Sequence, residues 1–514
     1  MSSALDLESA QLLSPDQPRS RLSPKTKKVL AGGVGLACLG VLAIGHFDAS
    51  SSPALGAATL ADDVLDTTPN TTVQLPNATA AIDRIGSLPD PEAMTPALTM
   101  LALGDWGGTL GKENGDPGSC CVIYNGWVNP NSYRFQIDYW AQNYVAELMA
   151  LSANELAPSR ILSHGDNFYW VGVGLDNAKY RFEQSFEKVY NQPSLQYVPW
   201  INVMGNHDIG GANFICGDSE PYYECSSPSE LVDYLEHRYL AQSSYKSPYG
   251  DRWVLRDHYY VERVERNGVV VEIFNIDTNY AEGSGGKEVC CQCYGYAAKY
   301  NTNAGVCGNT ERGAPSCAGG STELYDACIN RINAWADEGY TRARADIAAS
   351  DADFTIINTH YSPHYHMNNE KMLKWYDLCN ATNVTLWING HTHGFNHDIA
   401  TWGTHFIENG GGGGYFTANS PVIENDLVKN QWLVEGQPYG IFELSFSKDW
   451  LKAQFVTFDN DWVFGGFDYS KLKVGGIARG HCWYIPSAHS DVPKRGVECN
   501  SSVNGAIGAP LWWS

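Results

Sequence analysis

Five short loops carry the residues that could do chemistry: Gly104-Asp105-Trp106-Gly107, Gly165-Asp166-Asn167-Phe168-Tyr169, Gly205-Asn206-His207-Asp208, Asn358-Thr359-His360 and Gly390-His391-Thr392-His393. Between them they hold carboxylates, a phenol, a carboxamide and several imidazoles. Each loop alone is unspecific, because an Asp after a Gly is most often a turn residue and an aromatic beside a loop is most often core. Together, over a span that one domain can hold, these oxygen and nitrogen donors are the ligand set for two metal ions sharing a bridging carboxylate. Asp166 and Tyr169 lie three residues apart, so a tight turn can aim both at one ion. His391 and His393 lie two apart, and a ridge between two ions could give one imidazole to each. His364 and His366 follow the fourth loop closely and suggest a polar cleft, although either one singly reads as a surface histidine. His397 and His405 receive no role.

Each loop follows an apolar run of strand type: Leu98 to Leu103, Arg160 to Ser163, Trp200 to Met204, Phe354 to Asn358 and Thr385 to Asn389. Tyr133 to Leu151 has apolar residues near helical spacing, and Leu175 to Tyr190 reads as another helix. Val269 to Ile276 is a further strand with no chemistry beyond packing. This alternation predicts an α/β domain with its functional groups at strand ends. Gly410 to Gly414 has neither the Lys-Ser/Thr of a P-loop nor its strand–helix context, and reads as a tight turn packed under the site. The chain contains no Gly-x-Ser-x-Gly elbow, which disfavours a serine hydrolase.

The 514 residues carry 34 Lys plus Arg against 57 Asp plus Glu, a net charge of −23. Such a surface repels a nucleic acid backbone, whereas a small phosphorylated substrate remains compatible because bound metal ions dominate their local field. The 14 cysteines, and Asn-x-Ser/Thr sequons at Asn70, Asn77, Asn380, Asn383 and Asn500, fit an oxidising secretory compartment. Cys38 lies in an N-terminal apolar run and leaves an odd number elsewhere, so at least one thiol is free or intermolecular. Cys290-x-x-Cys293 has no second Cys or His pair at zinc-site spacing after it, so disulfides are expected. Residues 283–320 read as a Gly- and Cys-rich stapled insertion near one rim.

The N-terminus divides into a basic tail (1–28), an uncharged apolar run (29–45) and an Ala/Ser/Thr/Pro-rich stalk (46–95). As a helix, the 17-residue run spans roughly 25 Å. Its basic N-side flank predicts a single transmembrane signal anchor of type II, with the catalytic domain extracellular or luminal. A signal peptide cleaved near Ala49-Ser50-Ser51 is the alternative and would give a secreted protein. Residues 471–514 form a Cys- and Trp-containing extension, either a disulfide-tied flap or a small addition.

The ordered loops resemble the pattern GDxG, GDxxY, GNH(D/E), VxxH and GHxH of the purple acid phosphatases (tartrate-resistant acid phosphatase-like), within the metallophosphoesterase superfamily. The resemblance covers about residues 96–470, with Ile357 in place of the fourth motif's Val. It implies a four-layer α-β-β-α sandwich of the calcineurin-like metallophosphoesterase fold. It implies an Fe(III) ion held by Asp105, Asp166, Tyr169 and His393, with Asp166 bridging to a divalent ion (Fe, Zn or Mn) held by Asn206, His360 and His391. His207 would contact the substrate anion and protonate the leaving group, and Asp208 completes the third motif of the catalytic set. The family has a second substrate-contacting His several residues after the fourth motif. Asn369 stands at that position, so His364 or His366 is expected to take its place. The implied reaction is hydrolysis of phosphate monoesters by a metal-bound hydroxide. Two rivals are a Zn or Mn phosphodiesterase acting on nucleotides or lipid head groups, and an inactive membrane-tethered binding ectodomain. Tyr169 argues against the first and the complete ligand set against the second.

Overall fold

The computed structural model describes residues 88–109, 133–218, 223–282, 285–300, 307–308, 310–414 and 426–502. The apolar run 29–45, the basic tail, most of the stalk, Cys120, Cys121 and the sequons at Asn70 and Asn77 lie outside them. Among the described residues no helix is long and apolar enough to cross a membrane.

The strands are β1 (Leu98–Leu103), β2 (Arg160–Ser163), β3 (Trp200–Asn202), β4 (Trp253–Val254), β5 (Tyr259–Arg266), β6 (Val269–Ile276), β7 (Phe354–Asn358) and β8 (Leu386–Asn389). They continue with β9 (Phe395–Ala400), β10 (His405–Asn409), β11 (Val428–Leu433), β12 (Ile441–Phe446), β13 (Trp450–Phe458), β14 (Ile477–Pro486) and β15 (Val497–Glu498). Two sheets result, ordered β15-β14-β13-β12-β1-β2-β3-β4 and β11-β9-β10-β8-β7-β6-β5. β1 to β4 run parallel in the first, and β6, β7, β8 and β10 run parallel in the second. Every residue of β1, β3, β7 and β8 is buried, as expected for parallel strands covered on both faces. The sheets meet through rings such as Phe354 against Phe446 and Phe395 against Phe455.

Register brings the loops together. Leu103, Ser163 and Asn202 lie side by side at the ends of β1, β2 and β3, and Asn358 pairs with Ile388 across β7 and β8. All five loops therefore leave strand C-termini, the usual place for ligands in open α/β sheets.

Helices cover the outer faces. α1 (Ala141–Leu156) buries Tyr144, Val145, Leu148 and Met149, and packs on β1, β12 and β14. α2 (Pro228–Ser243) starts with Pro at its first position, behind an N-cap Ser227 that accepts from Glu230 N. α3 (Gly286–Cys291) and α4 (Cys293–Tyr300) are short. α5 (Thr322–Ala348) buries Cys328, Ile332, Trp335, Ala336, Gly339, Ala343 and Ile347 at spacings of three and four, the stripe that lies on β5 and β6. α6 (Asn369–Thr382) ends in a left-handed Asn383.

Several expectations need adjustment. The helix read over Tyr133 to Leu151 is two segments, Tyr133–Asp138 and α1. That over Leu175 to Tyr190 is the short helix Ala178–Phe182 running into a π turn at Glu183–Glu187. The Cys-rich insertion contains α3 and α4, whose periodicity the glycines and cysteines concealed. Its staples are Cys290–Cys328, Cys291–Cys317 and Cys293–Cys307, so the two cysteines of Cys290-x-x-Cys293 belong to different disulfides. Cys216–Cys225 and Cys482–Cys499 are also bonded, and Cys379 is a buried free thiol. β14 and β15 extend the first sheet, so residues 477–498 of the C-terminal extension are integral to that sheet.

Candidate metal centre

The backbone at the ligand loops is unusual. Asp105, Asp166, His391 and His393 have φ of 56°, 52°, 73° and 55°, in the left-handed region that non-glycine residues seldom adopt and that clusters at functional sites. Neighbouring glycines make room for the carboxylates. A Cβ on Gly390 would lie 2.2 Å from Asp105 Oδ2, and one on Gly205 would lie 2.2 Å from Asp166 Oδ1. Backbone N–H groups then aim both acids: His391 N donates to Asp105 Oδ2 (2.8 Å) and His207 N donates to Asp166 Oδ1 (3.0 Å).

Two donor groups result, and both contain Asp166. Ligand atoms of Asp166, His360 and His391 lie within 4.8 Å of one another, as do those of Asp105, Asp166 and His393. Tyr169 joins the second group, with its hydroxyl 2.9 Å from His393 Nε2 and 3.3 Å from Asp105 Oδ1. Asn206 joins the first, with Oδ1 3.1 Å from both His360 Nε2 and His391 Nδ1. Thus the seven residues expected as ligands converge. They also fit metal ions on chemistry: Asp166 Oδ2 is fully buried with no well-formed hydrogen bond, facing only His360 Nε2 at 3.5 Å and His207 Nε2 at 4.0 Å, an arrangement of a carboxylate and imidazoles that a cation between them would satisfy. His360 Nδ1 donates to the His164 carbonyl at 2.6 Å, which leaves Nε2 as the ligating atom.

Protein groups alone polarise this cluster strongly. Burial opposes ionisation of Asp166, yet the imidazoles of His360 and His207 outweigh it and hold the carboxyl well below its ordinary value. Burial likewise opposes charge on His360, and Asp166 beside it raises its pKa to about 9. Burial raises Asp105 against the pull of His393, and burial lowers His391.

The remaining site candidates separate by geometry. His207 packs against the rings of Tyr169 and Trp170, its Nδ1 2.6 Å from the Trp170 carbonyl and its Nε2 4.0 Å from Asp166 Oδ2. Asp208 points into the loops: its carboxylate accepts from Gly205 N (2.8 Å), Asn167 N (3.1 Å) and Gln242 Nε2 (3.0 Å). Burial and the charge of Asp166 push it up to about 7. His366 stands 4.7 Å from the His391 ring. It accepts from Ser362 N and bonds Thr392 Oγ1, which donates to the buried Glu408. Burial and the nearby His360 and His364 lower it to about 3. His364 instead pairs with Asp398 (3.2 Å) and packs on Phe406. Of the two, His366 is the one brought against a ligand candidate. Phe168 is core, packed on Trp106 and Phe182. Gly412 and Gly414 donate to the carbonyls of Gly104 and Asp105, so the glycine run does lie against the site.

Sequence reasoning missed Tyr361, whose hydroxyl donates to Asn206 Oδ1 at 3.2 Å, and the buried Glu408 behind Thr392. Adjacency of Tyr361 to His360 was the one available signal. It also missed Arg238 and Gln242 of α2. Arg238 donates to the carbonyls of Val171, Ile215 and Gly217, and Gln242 accepts from Asn167, so one helix face grips the second and third loops.

Curated relatives share parts of this chain. It is 31% identical over 189 residues to tartrate-resistant acid phosphatase type 5 of Sus scrofa, covering 36% of this chain and 40% of that protein. It is 41% identical over 101 residues to purple acid phosphatase 7 of Arabidopsis thaliana, covering 20% of this chain and 28% of that protein. The chain therefore spans less than half the length of these relatives. Among solved structures, the purple acid phosphatase PPD1 from yellow lupin aligns with a TM-score of 0.39 at 14% identity, over 76% of this chain and 54% of that one. GAP50, the anchor in the inner membrane complex of Plasmodium, aligns with a TM-score of 0.41 at 14% identity, over 74% and 90%. The family description of the calcineurin-like phosphoesterases, by contrast, matches residues 98–395. That is more than half of the chain and encloses every ligand candidate from Asp105 to His393, so the chain belongs to the calcineurin-like phosphoesterase family.

Proposed function

We propose that this chain is an acid phosphatase that hydrolyses small phosphate monoesters at a dinuclear Fe(III)–divalent metal centre. The observation that carries the reading is the pair of donor groups sharing Asp166, with the Tyr169 hydroxyl in one of them. Asp105, Asp166, Tyr169 and His393 would hold the ferric ion, for which a phenolate is a hard, anionic partner. Asn206, His360 and His391, with Asp166 as bridge, would hold the divalent ion, Fe, Zn or Mn. A bound pair of this kind polarises phosphate oxygens and lowers the pKa of water at neutral or acidic pH.

The chain's own groups supply the rest. The Trp170 carbonyl can only accept, so His207 carries its proton on Nδ1 toward that oxygen and turns Nε2 toward the centre. Protonated on Nε2 in acid, His207 donates that proton to the departing oxygen as general acid. Asp208 holds the loop that presents it, and His366 takes the substrate-contacting position in preference to His364. The wider reading places this catalytic domain, of four-layer α-β-β-α type, in the secretory pathway behind an N-terminal type II anchor. The five disulfides and the exposed sequons at Asn380, Asn383 and Asn500 support that compartment.

The test is the visible absorption spectrum of the protein expressed through a secretory route, together with hydrolysis of 4-nitrophenyl phosphate at acidic pH. The expected result is acid-optimal hydrolysis and a broad tyrosinate–iron band that Tyr169→Phe abolishes. A colourless active protein loaded with zinc or manganese would overturn the ferric assignment in favour of a phosphodiesterase. An unchanged band in Tyr169→Phe would remove Tyr169 from the ligand set.

A further inference from the structure

Gln292 lies far in sequence from the ligand loops, yet its contacts lead to one of them. It stands between Cys291 and Cys293, ends α3 in the left-handed region (φ 51°) and is fully buried. Both neighbours are locked in disulfides, to Cys317 and Cys307, and Cys290 ties the same turn to α5 through Cys328. Its Oε1 accepts from Ile215 N at 3.0 Å. Tyr294 N donates to Ala212 O at 3.0 Å. Gly295 passes so near Phe214 that a Cβ there would sit 2.9 Å from the ring. Ala212 belongs to a small apolar cluster with Cys291, Cys293, Tyr294, Cys307 and Cys317. The insertion therefore grips residues 212–215 at three points.

That segment is continuous with the wall of His207. Gly211 N donates to Asn206 O at 2.9 Å, and a Cβ on Gly211 would lie 2.7 Å from His207 Nδ1. On the other side Arg238 donates to Ile215 O at 3.0 Å. Both polar groups of the Ile215 backbone are thus held, the N–H by Gln292 and the carbonyl by Arg238. Without the first, the segment that backs this imidazole loses the one side-chain hydrogen bond that the insertion gives it, and is held to the insertion only at Ala212 and Phe214.

We infer that Gln292 is a positioning residue for His207, through which the disulfide-stapled insertion fixes the proton-donating imidazole. The inference rests on the reading of His207 as general acid. Protonation matters most for a poor leaving group, so a displaced His207 slows an alkyl phosphate more than 4-nitrophenyl phosphate, whose phenolate departs unaided. Gln292→Met keeps the side-chain length and removes the acceptor. It should lower kcat for an alkyl phosphate about tenfold, a fraction of the full general-acid effect, and that for 4-nitrophenyl phosphate far less, with KM and metal content unchanged. Gln292→Glu retains Oε1 as acceptor and should restore the alkyl rate. Where Gln292→Met does not accumulate folded, Gln292→Asn, which tolerates left-handed backbone and retracts the acceptor by one methylene, carries the same expectation. An equal loss on both substrates, or no rescue by Gln292→Glu, overturns the inference. His207→Gln is measured alongside: if it leaves the ratio of the two substrates unchanged, the general-acid reading itself has failed.

Discussion

Three buried histidines between the sheets set a limit on acid stability, and His481→Gln measures it. His397 of β9 lies with Nδ1 2.9 Å from His481 Nε2 and Nε2 2.8 Å from His405 Nδ1, and His405 Nε2 lies 3.0 Å from the Lys494 carbonyl. A carbonyl only accepts, so His405 is protonated on Nε2, and the same step repeated fixes Nε2–H on His397 and His481. The chain of donors ends on His481 Nδ1, a buried nitrogen with no partner. Trp432 stacks on His481 at 4.6 Å, Trp483 flanks His397, and the charged side chain that acts on His397 and His405 is the cationic Arg495. Burial, with His405 adding to it, lowers His481 from 6.5 to about 3, and burial lowers His405 to about 4. The folded pKa is depressed, so between about pH 3 and 6.5 the unfolded chain binds a proton that the folded chain refuses. Stability from this group is full above 6.5 and falls as pH falls toward 3. With about 1.4 kcal/mol per pH unit as the limiting slope, lowering pH from about 6.5 to about 4.5 removes about 2 kcal/mol through His481 alone. His481→Gln retains an Nε2 donor for His397 and does not titrate. Denaturant unfolding of both proteins across that range should show the gap between them narrowing by about 2 kcal/mol in favour of the variant. Parallel stability curves would refute the argument, because they would mean that His481 is already charged, or wet, in the folded state.

Two further outcomes follow from the same geometry. Asp166 is common to both donor groups, so Asp166→Asn should cost both ions by elemental analysis, whereas Asn206→Ala should cost only the one held with His360 and His391; one ion retained in Asp166→Asn would refute the bridge. Cys379 is fully buried and burial raises its thiol far above the ordinary range, so its peptide should be alkylated by iodoacetamide only after unfolding, and labelling of the native protein would show that this face of α6 opens.

The ligand set was legible because ligation restricts residue type and parallel strands restrict position. Short apolar runs stop at Gly-Asp, Gly-Asn or Gly-His, and in-register strand ends carry those side chains to one edge. The choice between His364 and His366 was not legible. They are two residues apart on one turn, and what separates them is Asp398 on one side and Thr392 on the other, supplied by β9 and by the loop that leads into it, some thirty positions later. The insertion was legible as stapled but not as helical, since six cysteines allow 15 pairings and the pairing seen, with one partner on α5, emerges only when α3, α4 and α5 are packed.

His397 and His405 show the same boundary from the other direction. Eight residues apart on paired strands, they carry no motif and earned no role from sequence. Their meaning depends on His481, which arrives from the opposite sheet 84 residues after His397. Contacts of that kind obey the polar-satisfaction rule as strictly as a metal site does, since every buried imidazole must find a partner or bear the cost. They differ in the route by which the rule is met. A metal site recruits side chains from the ends of strands, where register already aligns them. The imidazole chain recruits them from inside β9 and β14 and from the start of β10, across the gap between two sheets, where only the packed fold decides which residues face. Motif reading therefore reaches the first kind of site and stops short of the second, and His481→Gln tests a property that no loop in the chain announces.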